Sequence, residues 1–240
     1  MNPRLAAAVC VLIPCAGGAF SQAIKIFPTP PSGYPGQILT ADMNGDGLDD
    51  LVVADANAVC VFLGNGAGGF GPASPSPSSG ARRVAVADFN LDGNLDVGTA
   101  DPGVSRLLGD GSGGLGSALT VSSNSYLLFV GAADLNADAK PDLLSGSLTV
   151  SGYPFFPTFN PGGVNAFLGD GAGGFGPSTY FDMGGDIDFS DFITQAVAEV
   201  AFGDVNGDGR IDGVALVGSK GYPFVLSPCC LFPGTYLFVR

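Results

Sequence analysis

The feature that most constrains this chain is a nine-residue pattern, D-x-N-x-D-x-x-x-D, that occurs four times. It spans Asp42 to Asp50, Asp88 to Asp96, Asp134 to Asp142 and Asp204 to Asp212. The starts lie 46, 46 and 70 residues apart. Self-similarity at such a period marks a repeat architecture. The first window holds four Asp and each of the others three, so most of the acidity sits in these windows: the 22 acidic residues include one Glu, Glu199. The sixth position is Gly47, Gly93 and Gly209 in three windows and Ala139 in the other.

Alternate side chains of a tight loop can face one centre, and hard oxygens at that spacing suit calcium, which takes six to eight of them at about 2.3–2.6 Å. The expected side-chain donors are Asp42, Asn44, Asp46 and Asp50; Asp88, Asn90, Asp92 and Asp96; Asp134, Asn136, Asp138 and Asp142; and Asp204, Asn206, Asp208 and Asp212. The seventh residues, Leu48, Asn94, Lys140 and Arg210, are expected to add a backbone carbonyl. Up to four Ca2+ follow from this count. Magnesium fits less well, because its octahedron is stricter. Glycine at the sixth position permits a sharp turn with positive φ, so Ala139 predicts a weaker third site. An EF-hand is excluded: its twelfth position needs a bidentate Glu between helices, and Val53, Thr99, Ser145 and Ala215 stand there. The flanks are short β-branched runs such as Leu51-Val52-Val53 and Val84-Ala85-Val86, which read as strands.

A second element follows each of the first three windows. It reads Phe62-Leu63-Gly64-Asn65-Gly66-Ala67-Gly68-Gly69-Phe70-Gly71, then Leu107 to Gly116, then Phe167 to Gly176. Asn-Gly or Asp-Gly after an apolar strand signals a hairpin turn. These are not phosphate cradles, since no helix pattern follows and no Lys stands where a P-loop needs one. A full unit therefore has four strands, two around the Asp loop and two around the Gly turn. With 39 Gly and 18 Pro in 240 residues, short strands and turns are expected throughout. Disorder is excluded by 46% hydrophobic content.

Four-stranded units at this spacing suggest propeller blades. The Asp loop together with the L-G-x-G-x-G-G-F-G-P turn resembles the FG-GAP/VCBS repeat of integrin-α-type β-propellers, over roughly residues 23–240. The resemblance implies an all-β fold, a β-propeller of four-stranded antiparallel blades with calcium in the loops joining first and second strands. The units lie near 37–80, 81–125, 126–182 and 196–240. Four units are either a closed small ring or a partial propeller that pairs with another chain. In a ring, residues 23–28 would supply the last strand of the fourth unit, whose own third strand is expected near Thr235 to Val239.

Function is bounded from several sides. A net charge of −13 with nine Lys and Arg argues against nucleic acid. The absence of His excludes a Ser-His-Asp triad and His-ligated zinc. Residues 1–21 have the layout of a secretory signal: Arg4, the apolar run Leu5 to Ile13, then small residues up to Ala19. No segment approaches the roughly 18 uninterrupted apolar residues of a membrane helix, and the signal layout leads to the expectation of a secreted, cell-surface or periplasmic location. Of the remaining cysteines, Cys60, Cys229 and Cys230, spacing leaves the pairing open. Strand alternation puts the Asp loops and Gly turns on one face and the long connections on the other. Those connections, Ser145 to Gly163 in the third unit and Val217 to Gly234 in the fourth, hold Tyr153, Phe155, Phe156, Tyr222 and Phe224, candidate contacts for a protein or glycan ligand. A carboxylate pair, Asp186 and Asp188, is the thinnest basis for catalysis. The expectation is a non-catalytic, calcium-binding adhesion or recognition module, with a purely structural repeat as the alternative.

Overall fold

The computed structural model describes residues 8–12, 24–28, 35–55, 57–78, 81–100, 103–123, 127–151, 158–182, 196–204, 207, 211–219 and 222–225. All regular structure in these residues is β-strand. Strands β1 (Ala8–Leu12) and β2 (Ile24–Pro28) form a two-stranded antiparallel sheet. Three four-stranded sheets follow. They are β3 (Pro35–Ala41), β4 (Asp50–Asp55), β5 (Ala58–Phe62) and β6 (Ser74–Pro77); β7 (Arg83–Ala87), β8 (Asp96–Ala100), β9 (Val104–Leu107) and β10 (Leu119–Ser122); and β11 (Leu127–Ala133), β12 (Asp142–Ser151), β13 (Thr158–Phe167) and β14 (Thr179–Asp182). A three-stranded sheet of β15 (Ala196–Gly203), β16 (Asp212–Ser219) and β17 (Tyr222–Val225) completes the set. Every sheet is an antiparallel meander in chain order, the topology of a propeller blade.

The blades stack face on face through their first strands: β3 packs on β7, β7 on β11 and β11 on β15. A second strand in such a stack is covered on both sides. That is why β4 reads as an unbroken apolar run, Leu51-Val52-Val53-Ala54, between two buried Asp. Val52, Ala54, Val59 and Val61 of the first blade meet Val84, Val97 and Leu107 of the second. Phe89, Ala100 and Val104 meet Val130, Leu143 and Phe167 of the third. Phe89 also packs edge-on against Phe175, with ring centroids 5.3 Å apart. Phe129, Leu144, Val164 and Ala166 of the third blade meet Phe202 of the fourth. A fully buried side chain of this kind contributes about 1.5–3 kcal/mol. The approach of β11 to β15 requires Gly131, since a Cβ there would lie 2.3 Å from the Phe202 ring.

The opposite face of the first blade, Leu51, Val53, Cys60 and Phe62, is buried as well. The outermost strand β6 is Ser-Pro-Ser-Pro. Its prolines suit a sheet edge, because they cannot donate to a further strand.

Several connections differ from the sequence expectation. Ser145 to Gly163, read as an expanded connection, is mostly ladder: β12 and β13 pair as far as Ser151 and Thr158, past a register shift between Ser147 and Thr149. Tyr153, Phe155 and Phe156 fall outside the described residues. Tyr222 and Phe224 lie on strand β17, opposite Ser219 and Val217, rather than in a loop. Ile24–Pro28, considered as a closing strand for the fourth unit, pairs with Ala8–Leu12. Thr235 to Val239 lies outside the described residues. Among the described residues, no packing of β15 on β3 comparable to the other three contacts completes the series.

Cys60, whose pairing was open, is a free and fully buried thiol. Burial, reinforced by the charge of Asp55, pushes its pKa up to about 11. A thiol held protonated and out of water is a poor nucleophile. In peptide-resolved iodoacetamide labelling at pH 8, the Cys60 peptide should stay unmodified in native protein and label fully in denaturant. Labelling of Cys60 at the free-thiol rate without denaturant would contradict its place in the core.

Candidate functional site

The first three Asp loops share one geometry. The first-position Asp accepts two backbone N–H groups from its own loop, at 3.1 Å from the fifth residue and 2.8 Å from the sixth. These bonds run from Asp46 and Gly47 to Asp42, from Asp92 and Gly93 to Asp88, and from Asp138 and Ala139 to Asp134. The third-position Asn accepts the fifth N–H, at Asn44, Asn90 and Asn136. The fifth-position Asp accepts the seventh N–H, from Leu48 to Asp46, Asn94 to Asp92 and Lys140 to Asp138. Side chains one, three and five thus all point into a single small loop. Each carboxylate oxygen so engaged keeps a further lone pair.

Two positions of the loop are left-handed, not one. The sixth carries φ +82° at Gly47, +90° at Gly93 and +64° at Ala139. The fourth is also left-handed: +72° at Gly45, +57° at Leu91, +61° at Ala137 and +78° at Gly207. The sequence reading missed the fourth position, because Leu and Ala there hide the requirement. A non-glycine residue in this region costs roughly 1–2 kcal/mol.

The ninth-position Asp behaves differently. Asp50, Asp96 and Asp142 are fully buried. One oxygen of each accepts the second-position N–H of its own loop, from Met43, Phe89 and Leu135, at 2.8–2.9 Å. The other accepts the N–H of Gly64, Gly109 or Gly169 at the head of the Gly turn, at 2.7–2.8 Å. The Gly turn closes on its own Asx side chain. Asn65 Oδ1 accepts from Ala67 and Gly69, Asp110 Oδ1 from Ser112 and Gly114, and Asp170 Oδ1 from Ala172 and Gly174. These three organisers were legible as Asn-Gly or Asp-Gly turn signals, but not as acceptors.

Charge ties the loop acids together. Burial pushes the Asp96 and Asp142 carboxyls up from the ordinary range, and their backbone donors pull them back. The charges of Asp88 and Asp92 then push Asp96 up further, and those of Asp134 and Asp138 do the same to Asp142. Asp92 is held low, chiefly by the Asn94 N–H. For Asp138 burial acts upward but is outweighed by the Lys140 N–H, Asn136 and the Lys140 charge, so the net shift is down. The Lys140 ammonium stands 3.5 Å from Asp138 Oδ2, a cation that the first two loops lack at this position. Among the described residues no three His, Cys, Asp or Glu side chains gather into a ready-made metal cluster. The acids are therefore close enough to feel one another, yet held apart on backbone donors.

In the fourth loop Asp204 is described and exposed, and its Oδ1 accepts the Gly207 N–H at 2.6 Å. Asn206, Asp208 and Arg210 lie outside the described residues, and Asp212 opens β16 opposite Gly203.

Neighbouring turns interlock along this face. A Cβ on Gly113 would lie 2.6 Å from Leu63, and one on Gly173 would lie 3.3 Å from Leu108. Gly173 also donates to Phe89 O and accepts from Arg106 Nε.

With this geometry in place, a family model described as the FG-GAP-like repeat matches residues 42–99. That stretch runs from the first Asp loop through the first Gly turn and the second loop, so the chain carries an FG-GAP-like repeat. No curated protein matches the chain in sequence. Similar solved structures include a lectin of Agrocybe aegerita described as recognising non-reducing terminal N-acetylglucosamine, at 17% identity and TM-score 0.45, covering 86% of this chain and 68% of that one. They also include a Tc holotoxin pore of Photorhabdus luminescens, at 17% identity and TM-score 0.44, covering 88% of this chain and 10% of that one. Neither likeness bears on what this chain binds.

The left-handed alanine at position 139 is exposed. Ala139→Gly should therefore raise unfolding stability by about 1 kcal/mol, the strain removed less the entropy glycine adds to the unfolded chain. Urea denaturation of the two proteins side by side checks this, and a destabilised variant would refute it.

Proposed function

We propose that this chain is an exported repeat module whose Asp loops bind calcium, and that the ion stiffens a scaffold for recognising a protein or glycan. The observation that carries the calcium reading is the geometry of the loops: the oxygens of the first, third and fifth side chains turn into one small loop, alike in the first three windows. Half-buried and exposed hard oxygens gather in each of the first three loops, and like charges raise each other's cost. A divalent cation would relieve that repulsion and draw the first, third and fifth side chains onto one centre. The donor set is oxygen only, which suits calcium in kind. Four such ions would take the formal charge from −13 to −5.

The other parts of the reading have separate supports. Export rests on the signal-like layout of residues 1–21. Among the described residues no helix is long and apolar enough to cross a membrane. Recognition rests on the aromatic residues that the sequence expectation put on the face away from the Asp loops; of these, Tyr153, Phe155 and Phe156 lie outside the described residues and Tyr222 and Phe224 stand on β17. A non-catalytic role belongs to the same proposal; Asp186 and Asp188, the carboxylate pair weighed for catalysis, lie outside the described residues.

A ligand that binds only the folded state stabilises it by RT ln(1 + [L]/Kd), about 2.7 kcal/mol per site at a hundredfold excess. Removing calcium with EGTA should lower the melting temperature by several degrees, and added calcium, unlike magnesium, should restore it. Equilibrium dialysis against 45Ca should find up to four ions per chain. No bound calcium together with an unchanged melt would end the calcium reading. A glycan array read with calcium present tests the recognition reading separately, and saturable binding is the expected result.

A further inference from the structure

The sequence pattern assigns the ninth-position Asp to the cation. The geometry points to a second task, and we infer that Asp50, Asp96 and Asp142 are braces that hold each Gly turn onto its Asp loop without any bound ion.

Three observations carry this. First, these carboxylates differ from the other loop acids in being fully buried. Second, each spans the blade. It accepts one N–H from seven residues before it and another from 14, 13 or 27 residues after it, and the arrangement repeats in all three four-stranded blades. The loop between strands one and two is thereby tied to the turn between strands three and four. Third, the partner glycine is shaped for the bond. A Cβ on Gly64, Gly109 or Gly169 would lie 2.1–2.3 Å from the eighth-position carbonyl of the Asp loop, at Asp49, Leu95 or Pro141. Only a residue without a side chain brings its N–H close enough. None of these glycines has a positive φ, so conformational freedom is not the reason they stand there.

The chemistry requires an acid. Both oxygens accept, and both donors are backbone N–H groups. An Asn would set its own NH2 against one of them and leave a buried donor unpaired, whereas a carboxylate satisfies both at once. Asp49 next door is exposed and makes no such bridge. Neutralising it changes the net charge by the same amount.

The test compares Asp50→Asn, Asp49→Asn and Gly64→Ala, all in EGTA so that no ion contributes. Asp50→Asn and Gly64→Ala should each lower the melting temperature by about 2–10 °C, and Asp49→Asn by less than about 2 °C. The double variant Asp50→Asn/Gly64→Ala should melt close to the worse single variant, because both break one bond. Wild-type melting of Asp50→Asn in EGTA, or a deficit that appears only with calcium present, would overturn the brace. Fully additive losses in the double variant would overturn it too. Should Asp50→Asn fail to fold, amide exchange of the wild-type protein in EGTA decides. The Gly64, Gly109 and Gly169 amides lie outside the named strands and should still be protected like strand amides; exchange at an open-loop rate refutes the proposal.

Discussion

Each of the three four-stranded blades depends on one buried carboxylate with two backbone donors. Placing a charge where water cannot reach it is costly, and the cost is tolerable only where charge-assisted hydrogen bonds replace the lost hydration. At Asp50, Asp96 and Asp142 the two replacing donors come from parts of the chain that the meander topology separates. Strand pairing fixes neighbours within a sheet, but it does not fix how the two hairpin ends on one face sit against each other. The carboxylate does this. A turn pinned in that way presents Gly113 and Gly173 at the right height to receive Leu63 and Leu108 from the preceding blade. Order inside a blade thus becomes order between blades.

Stacking also accounts for the unusual composition. When sheets lie face on face, second strands lose both solvent faces, and the 13% charged content follows from how little surface is left for charge. The charge that remains collects where backbone needs acceptors. Its concentration in Asp rather than Glu has the same origin, since the shorter side chain can reach an N–H two to five residues away without unwinding the turn.

Much of this was legible beforehand. The four windows and three Gly turns named the units, and the runs Leu51-Val52-Val53 and Val84-Ala85-Val86, read as strands, fall in β4 and β7. Periodicity was less informative about where oxygens point. In a one-dimensional pattern Asp50 looks like Asp46, and only the fold shows that one is inside and the other outside. Gly64 looks like Gly66 for the same reason, although the first yields to a carbonyl and the second to a left-handed turn. The Ser145 to Gly163 stretch was read as an expanded connection between the second and third strands, whereas most of it is strand. The ladder runs through Gly146 and resumes beyond Pro161 and Gly162, which stand unpaired in the register shift between the Ser147–Gly163 and Thr149–Asn160 pairs, where a proline removes no ladder hydrogen bond.

The third repeat separates what makes the loop from what adorns it. It has Ala at both left-handed positions and Lys at the seventh, yet its hydrogen bonds match those of the first repeat within about 0.2 Å. Glycine is therefore not what shapes the loop. The acceptors at positions one, three and five do that, and they are strong enough to hold two alanines where alanine is disfavoured. Such a loop has its shape before an ion arrives, so less of the binding free energy goes into ordering the chain. Lys140 works in the opposite direction, because its ammonium already offsets part of the charge that would attract calcium. Preorganisation and charge thus vary independently from repeat to repeat, and under the proposed calcium reading one scaffold would hold loops of graded affinity without any change of fold.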